Sequence, residues 1–168
     1  MISQTGSWKV TPQPFNMSIL GVRVGRCQIV PEEHDSNNNG LTEIDFSSQV
    51  ELVGGPFLTG EEKLLYLRRS GRVLYGAAIF MFLWRDYENN FGVSVLENLY
   101  RIKKVTYLDF FGDVLLRPGG RRCVLQLFRG DAKLMWTHQI RRLDNRWNSN
   151  LVSAVSPVCP RLIGQAIS

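Results

Sequence analysis

At 168 residues, with 44 % hydrophobic and 21 % charged side chains, the chain is long enough to bury one core without disulfides or a metal, and its composition excludes wholesale disorder. Its net charge of +5 is unevenly spread: residues 1–59 carry Lys9, Arg23 and Arg26 against Glu32, Glu33, Asp35, Glu43, Asp45 and Glu51, while residues 60–168 hold the other 17 basic and 9 acidic side chains. A basic body attracts polyanions and an acidic leading segment can meet the basic surface of a neighbour, so the pattern points to a binding protein.

Residues 1–16 are polar and interrupted by Pro12 and Pro14, which predicts an extended N-terminal arm whose apolar points are Trp8, Val10 and Phe15. An arm with a Trp and a Phe can dock on another subunit or pack on its own domain. Trp8 and Phe15, with Glu32, Glu33 and Asp35, are therefore the candidate self-association residues. The N-terminus lacks the basic start and apolar run of a signal peptide, and the odd count of three cysteines (Cys27, Cys123, Cys159) has no metal-ligand spacing, so a reduced, non-secreted protein is expected.

A globular domain is expected over 17–147. Residues 17–30 are β-branched and strand-like, and 31–41, with three successive Asn and a Gly, predict a mobile loop. Residues 42–53 alternate: Ile44, Phe46, Ser48, Val50 and Leu52 on one face, Glu43, Asp45, Ser47, Gln49 and Glu51 on the other, which predicts a half-buried strand with an acidic face. Gly54-Gly55-Pro56 stops it. Thr59 followed by Glu62 is a capping-box signature, opening one long helix over about 60–87 with a break or kink near Ser70-Gly71. Residues 73–84 are mostly apolar, too short to span a bilayer and suited to a buried helix, although flanking basic residues permit a peripheral contact with lipid.

Residues 92–100 read equally as short helix or loop. Residues 104–116, 122–129 and 132–140 are rich in Val, Leu, Tyr, Phe and Trp, with turns at Pro118-Gly119-Gly120 and Gly130-Asp131, which predicts an antiparallel meander. Residues 148–168, with Pro157 and Pro160, read as coil or a short terminal element. The expected fold is thus α+β: a single domain with an antiparallel sheet packed against one long, kinked helix and minor helices.

Chemistry-bearing motifs are sparse. His34 lies in the acidic loop without a calcium-loop spacing, and His138 follows Trp136 and Thr137 on a predicted strand, where a packed or surface histidine is expected. The sequence has no Walker loop, no strand–GxGxxG–helix unit, no H-E-x-x-H and no nucleophile elbow, so no catalytic, metal or cofactor residue is assigned. The basic residues instead cluster as Arg68, Arg69 and Arg72; Arg101, Lys103 and Lys104; Arg117, Arg121 and Arg122; and Arg141, Arg142 and Arg146. Placed at element ends, these are candidate contacts to phosphate backbone or headgroup charge without sequence specificity, set against a simple solvated surface.

The order of elements resembles the globular domain of rhabdovirus matrix proteins: an alternating strand ending in Val50-Glu-Leu-Val-Gly-Gly-Pro-Phe-Leu-Thr59, a helix, then a hairpin containing Leu127-Phe-Arg-Gly-Asp-Ala-Lys-Leu-Met-Trp136. The resemblance covers roughly residues 42–142 and implies an α+β domain without a cofactor. It further implies a protein that self-associates, condenses the viral nucleoprotein–RNA complex and links it to an anionic membrane, the inner face of the envelope, during assembly and budding. The implied partners are homo-oligomer, ribonucleoprotein and peripheral membrane, with no small-molecule substrate. The implied location is the virion, the host cytoplasm and the inner face of host membranes.

The sequence departs from the animal-virus pattern in having no long Lys-rich N-terminal tail and no P-P-x-Y or P-[TS]-A-P motif, which suits a short matrix protein of a plant-infecting member. Two alternatives remain beside it: a small basic nucleic-acid-binding accessory protein, such as a silencing suppressor or movement factor, and an enzyme with an unfamiliar site.

Overall fold

The structure is a computed structural model that describes residues 8–21, 27–34, 43–130 and 134–157, the side chains of 31–34 excepted. Its centre is the meander: β5 (Tyr107–Leu116), β6 (Arg122–Gly130) and β7 (Met135–Arg142), paired antiparallel in sequence. The three runs of β-branched and aromatic residues thus form strands close to their expected bounds.

β5 shares its other edge between two strands. β8 (Val152–Val155) runs parallel to its first half, Leu108 opposite Val152, and β2 (Gln28–His34) runs antiparallel to its second half, Gln28 opposite Leu116. β4 (Glu51–Val53) completes the sheet beyond β8, giving the order β4-β8-β5-β6-β7 with β2 beside β5. The sheet is therefore mixed rather than antiparallel. The segment after 147 supplies one of its inner strands because Ser153, Ala154 and Val155 are small enough to be buried between β4 and β5.

The one long helix is two. α1 (Gly60–Arg69) is capped by Thr59, whose hydroxyl accepts from the Glu62 N–H at 3.2 Å while the Glu62 carboxylate accepts from the Leu58 N–H at 2.8 Å. It ends at Ser70, and Gly71 takes φ +71°, a left-handed conformation that turns the chain out of the helix. Residues 72–76 then cross extended, Leu74 bridging Val155, before α2 (Ala77–Asn90) begins. The buried Asp113 carboxylate of β5 accepts from the Ala77 N–H, and a Cβ on Gly76 or Gly112 would collide with the facing segment. That close crossing, set by tertiary contact, is what interrupts the apolar run. α3 (Val95–Lys103) resolves the ambiguous 92–100 region as helix, capped by Ser94.

Further upstream, only β3 (Ile44–Asp45) and β4 survive from the expected 42–53 strand. Asp45 folds the chain between them: its carbonyl accepts from the Gln49 N–H at 2.7 Å and its carboxylate from the Ser47 N–H at 2.8 Å. Ile44, Phe46 and Val50 are nevertheless buried as the alternation required. Residues 17–20 form a 3-10 turn instead of strand, and strand β2 extends through 31–34, the first part of the expected loop; 35–41 lie outside the described residues.

The sheet separates two apolar clusters. On one face α2 and α3 bring Ile79, Phe80, Leu83 and Leu99 onto Phe110, Leu125 and Leu127; on the other α1 brings Leu64 and Leu67 onto Phe111, Val124 and Trp147. The domain is thus α+β in three layers, with a helix layer on each face.

Candidate polyanion-binding surfaces

The four basic clusters fall at three places. β5 has ten residues, so at about 3.3 Å per residue its two ends stand roughly 30 Å apart.

At its C-terminal end, the turn 117–121 is closed by the Gly120 N–H donating to the Arg117 carbonyl at 2.8 Å, with Gly120 at φ +82°. The loop 143–147 and the N-terminus of α1 meet this turn: the Glu61 N–H donates to the Leu143 carbonyl at 2.9 Å. Arg117, Arg121, Arg122, Arg141, Arg142 and Arg146 are therefore brought to one end, as their sequence spacing alone could not show. Three of these charges have a carboxylate partner. Arg122 forms a two-point pair with Glu61, its Nε 2.7 Å from Oε1, Arg142 a two-point pair with Asp144, and Arg121 stands 3.9 Å from the same Asp144. The Arg142 hydrogen bonds hold the Asp144 carboxyl below its ordinary range, so that carboxylate is ionised wherever the protein is folded near neutrality. Arg141 lies 5.0 Å from the centre of the Trp147 ring and donates to the Arg146 carbonyl.

At the N-terminal end of β5, α3 delivers Arg101, Lys103 and Lys104. Arg101 donates to the Gly92 carbonyl at 3.0 Å and the Asn98 amide oxygen at 2.8 Å, both neutral, and the Lys103 ammonium lies 5.8 Å from the centre of the Trp8 ring. Among the described residues none of these three has a carboxylate partner. Their neighbour Arg129, at the end of β6, does: it pairs with Glu97 at 3.1 Å and stacks 3.7 Å from the Tyr100 ring centre. Arg129 was not singled out because only the fold brings it against α3.

The third cluster sits apart, at the end of α1. Arg72 is paired with Glu51 of β4 at 3.2 Å, while Arg69 is exposed beside Leu65 and Tyr66. Arg68 is exposed as well.

Of the two alternatives for the arm, its described part, from Trp8 onward, takes packing on its own domain: the Phe46 N–H donates to the Trp8 carbonyl at 2.7 Å, β1 (Lys9–Val10) pairs with β3, and the Phe15 ring meets Phe80 edge-on at 6.0 Å. Trp8 and Phe15 are thus engaged in the chain's own core. Glu32 and Glu33 stand in β2, and Asp35 lies outside the described residues.

His138 packs edge-on against Trp84 at 4.8 Å and Phe80 at 6.4 Å, and burial lowers its pKa. It is a packed histidine. Lys63, buried under α1, donates to the Val53 and Leu151 carbonyls at 2.9 and 2.8 Å, and desolvation lowers its pKa to about 8. Nearby Asp109, pushed up by burial, accepts from the Trp147 indole at 2.8 Å and from Gln126, which in turn accepts from Gln139. Each of these buried groups is occupied in tying α1, β8 and the 143–147 loop to the sheet, a network sequence reasoning missed because Lys63 reads as a surface helix residue. The buried thiols Cys27 and Cys123 are free, and no group of His, Cys, Asp or Glu among the described residues is arranged to hold a metal.

No helix of the described residues is long and apolar enough to cross a membrane. Comparison of the chain with protein-family models, curated proteins and solved structures yields no match.

Proposed function

We propose that this protein is a matrix-type assembly protein that bridges two anionic partners, a nucleoprotein–RNA complex and the inner face of a membrane, and that self-associates in doing so. The observation that carries the reading is the placement of basic clusters at both ends of β5, roughly 30 Å apart on one sheet. That separation is several Debye lengths at physiological ionic strength, so the two ends act as independent electrostatic sites. A single basic patch would serve one polyanion; two opposed patches on a sheet braced from both faces serve two at once. The order of elements supports the same reading, since the Pro56–Thr59 turn leads through the Thr59 cap into α1, and the hairpin containing Arg129-Gly130 follows.

The test is sedimentation of the purified chain over a concentration series, alone, with ribonucleoprotein and with anionic vesicles. Concentration-dependent growth in size and co-sedimentation with both partners are expected. A protein that stays monomeric at high concentration and pellets with neither partner overturns the reading.

A further inference from the structure

The N-terminal end of β5 brings Arg101, Lys103 and Lys104, none with a carboxylate partner among the described residues, together with a group of exposed apolar side chains. Phe91, Val93, Ile102, Leu134 and Met135 are each between 50 and 63 % exposed. The fold gathers them. Arg101 on α3 is bonded to Gly92, between Phe91 and Val93; the Phe91 ring meets Tyr87 at 5.6 Å; and the Tyr87 hydroxyl accepts from the Trp136 N–H, next to Met135.

A second observation singles out the same place. The non-glycine residues with left-handed φ among the described residues are Phe91 at 34°, Lys104 at 57° and Leu134 at 53°, and all three lie at this end. Lys104 caps α3 where Gly or Asn is the favoured residue, and Leu134 leads into β7 where a short polar residue would turn the chain with less steric conflict. Bulky apolar and basic side chains thus occupy positions that folding alone would give to glycine or asparagine.

Resting on the bridging reading above, we propose that this end is the membrane-docking surface: Phe91, Val93, Ile102 and Leu134 enter the headgroup–acyl boundary of an anionic bilayer while Arg101, Lys103 and Lys104 meet its phosphates. The occupant is a bilayer because the surface pairs apolar side chains with positive charge, which is the complement of an anionic interface. Among the described residues, Glu97 is engaged with Arg129 and Asp86 with the Val95 N–H and Asn90, and Glu88 is an exposed acid on the adjoining helix.

The experiment uses the full chain with vesicles of phosphatidylcholine alone or mixed with phosphatidylserine. The wild type should pellet with the mixed vesicles and not the neutral ones. Ile102→Gln combined with Leu134→Asn should lower that partition at least tenfold with no fall in the thermal midpoint. Lys103→Gln should lower it by about fivefold, the worth of one lysine near an anionic leaflet, and Lys104→Gly should do the same without loss of stability. Vesicle binding equal to wild type in the double variant overturns the assignment and leaves the bridging reading standing, because ribonucleoprotein pelleting is measured separately. A double variant that changes self-sedimentation while binding vesicles normally assigns the surface to a second copy and likewise overturns it.

Discussion

The two ends of β5 carry similar basic clusters in the sequence and opposite surroundings in the fold. At the 117–121 turn, Arg122 and Arg142 face Glu61 and Asp144 in two-point pairs, the turn has a glycine at its left-handed position, and Leu116 and, beside Arg146, Leu58 are exposed apolar residues. At the α3 end Arg129 takes the Glu97 carboxylate while Arg101 has neutral partners and Lys103 and Lys104 have no carboxylate partner among the described residues, a lysine holds the left-handed position, and apolar side chains stand out to solvent. Counting charges along a sequence therefore says little about which cluster is available to a partner. What decides it is which carboxylates the fold delivers, and α1 delivers Glu61 to one end and none to the other.

The largest expected effect tests whether the two ends share one platform. Phe80 is fully buried beneath both Phe15 and Phe110, so Phe80→Asp places an unpaired charge in the core and should cost at least about 4 kcal/mol, abolishing cooperative unfolding and both binding activities together. Retention of either activity in a cooperatively melting mutant would mean that the ends fold independently.

Next comes Lys63, which braces the middle of that platform. Its folded pKa of about 8 lies below the ordinary 10.5, so the unfolded chain binds more protons between those values. Stability should consequently rise with pH across that interval, by about 3 kcal/mol, and be lowest below pH 8 where the buried ammonium is fully charged. Lys63→Met should flatten the rise. Denaturant midpoints at pH 7.5 and 10 on both proteins check it, and an equal slope in the mutant would place the titration elsewhere.

A smaller effect separates packing from binding at the α3 end. Glu97→Gln leaves the largely buried Arg129 stacked on Tyr100 without its carboxylate, which should cost about 1–2 kcal/mol by thermal unfolding. Because the freed guanidinium adds positive charge to that end, vesicle affinity should rise slightly or hold. A clear fall would show that α3 must be held by this pair for the surface to form.

The meander was legible because β5, β6 and β7 are long apolar runs separated by Gly-containing turns, and α1 because Thr59 and Glu62 form its cap in both sequence and structure. What was not legible depends on contacts between distant segments. The break expected near Ser70-Gly71 falls there, but the extended crossing of residues 72–76 over β5 against Gly112, which makes two separate helices, is announced by nothing local to 72–76. β8 is four small residues whose burial comes from its neighbours. The site divides the same way. The basic clusters themselves were plain, but Glu61, Asp144 and Glu97 decide which are neutralised, and two of these three pairings join residues more than thirty positions apart. The exposed apolar residues at the α3 end were hidden by the reverse effect, since Phe91, Ile102 and Leu134 look like core residues until the fold leaves them outside.

The smallest structural effect is the sharpest test of the difference between the ends. Arg121→Glu with Arg122→Glu reverses two charges on partly exposed side chains, where ion pairs contribute little to folding, so the thermal midpoint should barely move. The new carboxylates would join Glu61 and Asp144, leaving four arginines against four carboxylates and removing that end's net positive charge. Ribonucleoprotein binding should weaken and its log–log salt dependence flatten by about 2, one unit for each phosphate contact removed, while partition onto anionic vesicles stays at the wild-type value. If vesicle binding falls in parallel with ribonucleoprotein binding, the ends are not separate sites, and the basic body acts as one diffuse field. If ribonucleoprotein binding and its salt slope hold, the paired arginines are structural and the nucleoprotein contact moves to the exposed Arg68 and Arg69 at the end of α1.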